Sequence, residues 1–319
     1  MTRATEDLAA GTGGGGLSGG TGGLSAGTGG GGLPAVLAVL PEAEPEVTAL
    51  AERLAVRFAR PALLRAALLQ AEQLGAPKDA AAQCLQLIAA YPTEVASEDA
   101  LQLWWRLRKQ GTEVSGEPPV DVTLVQLATQ HVAAEALASH ALLLAGQWAD
   151  QQGRVEDALR HYDRLVAQYP RGPLLDDGLM AAAQLLRRLS RSAQAVVRLE
   201  QLVATYRSAM VVGHYNRLLL GDGTLLLGEV YLRDLHQPEQ ALTTLRKLLA
   251  RQPTSRLCDD ALVLMAEAVQ QRRPNLSPTD RVEACGYVER VLRDFPDSNR
   301  RRQATLLRAQ LRCPGAPVS

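Results

Sequence analysis

The sequence predicts an all-α protein, an α-solenoid of stacked helix-turn-helix repeats, and three observations carry that expectation. A phrase of the form Ala-x3-(Tyr/Leu/Cys/Val)-x2-(Leu/Val), then an aromatic or polar residue and usually a proline, returns five times. The copies run Ala80…Cys84…Leu87…Tyr91-Pro92, Ala158…Tyr162…Leu165…Tyr169-Pro170, Ala195…Leu199…Leu202…Tyr206-Arg207, Ala241…Leu245…Leu248…Gln252-Pro253 and Ala284…Val288…Val291…Phe295-Pro296. A unit repeated along a chain stacks into a solenoid, and solenoids usually bind rather than catalyse. The second observation is periodicity. Val155, Ala158, Leu159, Tyr162, Leu165, Val166 and Tyr169 form one helical stripe, and no comparable length alternates with period two. The third is composition: 319 residues, 46% hydrophobic but only 4% aromatic, so small and aliphatic side chains fill closely packed helices.

Residues 1–33 hold 14 of the 27 glycines, which makes ordering costly and leaves little to bury, so a disordered Gly-rich tether is expected. A phosphate loop would need Lys-Ser/Thr after its last glycine, and no lysine precedes Lys78. Residues 34–60 read as a spacer and a first helix, about Glu46–Ala59. Pro61 suits the first position of the next helix and opens the repeat array, expected over 61–298. Gly75-Ala-Pro77, Gln151-Gln-Gly153, Leu189–Ser192 and His236-Gln-Pro238 separate the first helix of a pair (helix A) from the second (helix B). The Tyr-Pro-type endings close each pair, because proline cannot continue the helix it follows. Residues 97–138, with Trp104-Trp105 and Pro118-Pro119, read as a degenerate repeat. Ser208–Leu220 is an added segment that either forms a loop or lengthens helix A. Residues 299–319 read as a capping helix, about Arg300–Arg312, and a tail.

These residues resemble the tetratricopeptide repeat, a 34-residue helix-turn-helix unit. The likeness is best over 139–172, where Leu142, Ala145, Gly146 and Ala149 fall on the helix A pattern and Ala158, Tyr162, Leu165 and Pro170 on that of helix B. Gly146 marks the close crossing of the two helices. Leu227, Gly228 and Tyr231 give a second copy, with one residue inserted before Ala241 and Thr224 where a large apolar residue is usual. Leu68, Ala183 and Ala266 stand at the glycine position elsewhere. Spacings of 37 residues between Tyr169 and Tyr206 and 43 between Pro253 and Pro296, with the Phe295-Pro-Asp-Ser298 ending, look like the bacterial envelope subtype. That subtype includes outer-membrane assembly lipoproteins and cell-division coordinators. The resemblance implies a right-handed solenoid.

Net charge is zero, from 34 basic and 34 acidic residues, so no global attraction to nucleic acid or an anionic membrane follows. Of the basic residues 31 are arginine, a bias that base composition alone would produce. Arg187-Arg188 and Arg272-Arg273 end helices, where cations are favoured; Arg300–Arg302 begins one, and is the better candidate for an anionic partner. Asp176-Asp177 and Asp259-Asp260 recur with the repeat, which points to helix N-terminal charge rather than acid–base chemistry. His131, His140, His161, His214 and His236 form no metal-binding spacing, and no nucleophile or Walker motif occurs. Cys84 and Cys285 read as small buried hydrophobes within helix phrases. Cys313 is open to a disulfide whose partner the sequence does not select. The adjacent rings Trp104 and Trp105 point about 100° apart and cannot share one face; core placement is the preferred reading, and the alternative is one ring in the core and the other exposed to anchor a partner.

The expectation is therefore a non-enzymatic interaction scaffold with no cofactor, no metal and no small-molecule substrate, whose partner is a protein or peptide. The family resemblance implies a concave groove lined by helix A. Counting from Gly146 and its equivalents, the groove-facing polar residues are Gln147, Gln184, Arg188, Glu229, Arg233 and Glu267. Leu143, Gln147, Met180 and Gln184 replace the basic clamp that chaperone-binding members use on free carboxylate termini. A mixed-charge groove suits a peptide carrying both signs. The alternatives are an envelope-assembly or cell-wall-coordinating factor and the regulatory module of a signalling system. As it begins at Met1 the sequence reads as cytoplasmic, and an export signal upstream would place it in the envelope. Leu33–Leu40 is too short an apolar stretch to span a bilayer.

Overall fold

The computed structural model describes residues 64–67, 75–112, 116–205, 217–272 and 276–314. The expected tether, the helix at 46–59, Leu68, His214, Arg273 and the segment 206–216 lie outside them. Among the described residues there are twelve α-helices and no strand. They are α1 Pro77–Ala90, α2 Val95–Lys109, α3 Val120–Gln130, α4 Glu135–Gln151, α5 Val155–Gln168, α6 Leu175–Arg188 and α7 Ser192–Thr205. After these come α8 Arg217–Glu229, a π-helical turn Val230–Asp234 that continues α8, α9 Pro238–Arg251, α10 Cys258–Arg272, α11 Pro278–Asp294 and α12 Arg301–Gln310.

From α3 onward each helix packs on the next, and the even-numbered helices α2, α4, α6, α8, α10 and α12 also touch one another in a row. Helices that meet along a row lie on the inner side of a curved stack, so the helix A row is the concave one. The protein is an α-solenoid, as its periodicity predicts. The repeated phrase supplies the buried face of helix B: Ala158, Tyr162, Leu165, Ala241, Leu245, Leu248, Ala284, Val288 and Val291 are all buried.

Helix A crosses helix B most closely at a glycine. A Cβ on Gly146 would stand 2.7 Å from Cδ1 of Tyr162, and one on Gly228 would stand 2.7 Å from Cγ of Leu245. No real side chain fits at that distance, so glycine sets the crossing. The hairpin turns share one conformation: Gly153, Ser190 and His236, each second in a three-residue connection, have φ of 72°, 58° and 54°.

The one-residue insertion after Gly228 appears as the π turn. Tyr231, its second residue, packs against both of the apolar clusters into which the core divides, one ending at Val230 and the other beginning at Leu232. The residues from 217 onward lengthen helix A, one of the two outcomes expected for the added segment.

Both tryptophans are core, the preferred of the two readings of the doublet. Trp104 is 0% and Trp105 9% exposed. Trp104 Nε1 donates to Glu117 Oε1 at 2.8 Å, on the loop of the irregular span, and Trp105 meets Trp148 of α4 edge-on at 5.7 Å between centroids. The 100° between neighbours is accommodated because α2 packs on both α1 and α4.

The reading of Cys285 is corrected. It is buried, but it is bonded to Cys313 rather than packed as a free thiol. The capping helix α12 buries Ala304, Leu307 and Leu311 against the last cluster, and the disulfide fixes the residues beyond it to α11. Cys84 and Cys258 are free and buried, and burial pushes the Cys84 thiol up to about 12.

Candidate binding groove

The six residues expected on the groove fall in two groups along the helix A row. Gln147, Gln184 and Arg188 line one hollow of about 490 Å³ with Asp150, Tyr162 and Arg187, over a floor of Ala181, Leu185 and Leu226. Glu229 and Arg233 line a second hollow with Asp260, Arg300 and Gln303. Glu267 adjoins it, accepting from Arg233 at 3.1 Å and from Gln303 at 2.5 Å.

The charges in the groove hold one another. Arg188 Nη2 donates to Asp150 at 2.5 Å. Arg187 forks between Glu229, 3.2 Å away, and Asp234, 2.9 Å away. Burial opposes the Arg187 charge, but the hydrogen bonds it donates to Glu229 and Asp234 outweigh that and raise its pKa above the usual arginine value. Arg233 bridges Glu229 at 2.9 Å and Glu267. The result is a polar ladder from α6 to α12, in which each cation is met by a carboxylate on a neighbouring turn or repeat. Gln147 and Gln184, one repeat apart in the same hollow, supply amides beside it. The Tyr162 hydroxyl, with its pKa pushed up to about 12 by burial and then by Asp150, stays protonated at neutral pH.

Sequence reasoning missed Asp150, Arg187, Asp234, Arg300 and Gln303. Counting from glycine places Arg233, in the π turn, one residue out of step, because the insertion was carried past the groove positions. The signal was the extra residue before Ala241. Of the Arg300–Arg302 cluster, Arg300 pairs with Asp260, Arg301 Nη1 donates to the Leu292 carbonyl at 2.7 Å, and Arg302 is exposed. The paired aspartates do lie in the first turns of α6 and α10. Asp176 accepts from Thr205 Oγ1 at 3.3 Å and Asp259 from Ser298 Oγ at 2.5 Å, so each ties helix A to the end of its own repeat.

The convex face is bridged in the same way, by Arg154 to Asp121 at 2.7 Å and Arg191 to Glu156 at 2.7 Å. Among the described residues no group of three or more His, Cys, Asp or Glu side chains could hold a metal ion. No helix among them is long and apolar enough to cross a membrane.

Stacked helical hairpins with a continuous inner row define a helical-repeat protein of the interaction-scaffold class. The tetratricopeptide repeat model matches residues 140–171 and 223–255, so two of the hairpin units are similar to tetratricopeptide repeats. The chain is similar to the outer membrane protein assembly factor BamD of Xylella fastidiosa strains Temecula1 and 9a5c, 28% identical to each over 177 residues. That match takes in 50% of this chain and 58% of those proteins, less than two thirds of their length. It resembles envelope-type proteins of the family. Among solved structures, BtubC (BKLC) from P. vanneervenii aligns with TM-score 0.48 and 13% identity over 82% of this chain and 96% of that one. The pilF protein of Pseudomonas aeruginosa aligns with TM-score 0.43 and 15% identity over 80% of this chain and 98% of that one.

Proposed function

We propose that the chain is a non-enzymatic scaffold that docks a peptide or protein segment along its concave groove. The observation that carries this reading is the hollow between α4 and α6, where Gln147 and Gln184 stand over an apolar floor. Amides at one-repeat spacing suit a segment laid along the row, and apolar residues beneath them suit its side chains. The groove charges are already engaged with one another, which favours such contacts over the both-sign peptide that the sequence suggests. A photo-crosslinking amino acid placed at position 147 or 184 in the full chain, in cells, tests it. Expected is a discrete protein adduct from these positions, absent when the probe stands at Val122 or Val282 on helix B. Adducts from the helix B positions alone would end the groove reading.

A second reading, that the scaffold works in the bacterial envelope as an assembly factor, has its own support. The Cys285–Cys313 bond belongs to oxidising compartments such as the periplasm. The likeness to BamD points the same way. Alkylating thiols in intact cells before lysis separates the compartments. Oxidised Cys285 and Cys313 are expected, and free thiols at both positions would place the protein in the cytoplasm.

A further inference from the structure

The π turn in helix A has a cause that can be traced residue by residue. Taking one residue, such as Tyr231, out of Gly228-Glu-Val-Tyr-Leu-Arg-Asp234 leaves six residues that align with Ala183-Gln-Leu-Leu-Arg-Arg188, with the Leu-Arg pair in common. Both repeats then enter identical three-residue turns with a left-handed second residue, Ser190 or His236. The supernumerary residue therefore sits inside the helix, within Val230–Asp234, rather than in the turn.

An extra residue has two places to go. It is absorbed as an i→i+5 turn, or it slides into the connection at 235–237 while the helix stays α. In an α-helix, residues five apart point in different directions; in a π turn they come into line. Glu229 and Asp234 are five apart, and Arg187 of the preceding repeat grips both, at 3.2 and 2.9 Å. Tyr231 is held as well, its hydroxyl donating to Glu200 of α7 at 2.6 Å. Ser192, at the start of α7, donates to Asp234 at 3.3 Å.

We propose that Arg187 is a positioning residue for the groove, selecting the π register of helix A by bridging two carboxylates that only this register aligns. In that register Arg233 reaches Glu267 of the next repeat, so the choice made at Arg187 continues the ladder across the place where the two core clusters meet. In the α register the residues after Tyr231 rotate about the helix axis, and Arg233 leaves Glu267. The inference rests on helix packing and is independent of what the groove binds.

Hydrogen exchange of the full chain, read by mass spectrometry over 228–238, tests it. Arg187→Met is expected to speed exchange there by about tenfold or more, with 139–168 unchanged, because local opening is read segment by segment. Asp234→Asn, a milder change of the same contact, is expected to act in the same segment. Deleting Tyr231 removes the competition between registers, since Glu229 and Asp234 then stand four apart in a plain α-helix. In that background Arg187→Met is expected to leave exchange over 228–238 within about twofold, a coupling that a double-mutant comparison isolates. An equal effect in both backgrounds makes Arg187 an ordinary ion pair and overturns the proposal, as does unchanged exchange in the parent chain. If Arg187→Met does not fold, the same comparison is made with Asp234→Asn, and equal effects there overturn it too.

Discussion

Arg198 and Asp163 stand 35 residues apart in the chain and 2.6 Å apart in space. Arg154 and Asp121, 33 apart, and Arg272 and Glu239, also 33 apart, are related in the same way. A separation of one repeat is what stacking imposes on neighbours, and the planar guanidinium fork suits bridging between two helices. The arginine bias thus has a use in the fold. Each exposed pair is weak, however. Arg198→Ala is expected to cost no more than about 1 kcal/mol in denaturant unfolding, and less still at high salt.

Gly146→Ala is expected to be far more damaging. Its Cβ would stand 2.7 Å from Tyr162 Cδ1, and overpacking of this kind costs about 1–3 kcal/mol. Gly286, in the middle of α11, has nothing within 4 Å of such a Cβ. Gly286→Ala is expected to stabilise by about 0.5–1 kcal/mol through helix propensity. Thermal melts of the two variants should shift in opposite directions.

Trp105 and Trp148 join α2 to α4 across the irregular repeat. Edge-to-face rings are worth about 0.5–1.5 kcal/mol beyond their buried area, so a double-mutant cycle with alanine should find coupling of that size. Coupling near zero would mean that the rings pack independently.

Asp176 offers a test by pH. Burial raises its pKa, the Thr205 hydroxyl opposes the rise, and the Asp177 charge adds to it. A carboxylate whose folded pKa lies above its unfolded value weighs against folding once it is ionised. Asp176→Asn should therefore stabilise at neutral pH. The gain should shrink as pH falls through the folded pKa and vanish below the ordinary aspartate value, as melts across that range would record.

Reducing Cys285–Cys313, which are 28 residues apart, should destabilise by about 3–4 kcal/mol on loop-closure grounds. In a stacked array the loss should concentrate at the end, with α12 gaining exchange first while α4 and α5 hold. Uniform loss along the chain would mean that the array unfolds as one unit.

The repeats were legible because each needs the same few residues at the same offsets. The alanine and leucine of helix B and the glycine under Tyr162 answer to geometry inside one hairpin. What was not legible depends on two hairpins at once. Nothing near Arg187 announces Asp234, 47 residues away, and nothing in the Trp104-Trp105 doublet shows that helices on both sides of α2 would bury it. The insertion before Ala241 was visible, but whether it entered the helix or the turn was decided by packing across repeats. Cys313 was visible too, and its partner followed only once α12 was seen folded back on α11.

The bridges between repeats also bear on how such a chain can change over generations. Asp121 answers Arg154, and Glu156 answers Arg191; each acid is second in its helix B and each arginine closes the turn before the next helix B. Duplicating a unit would therefore set Arg154 against Glu156, again a cation against a carboxylate. The joint between these hairpins is generic, and units can be gained within the array without opposing like charges there.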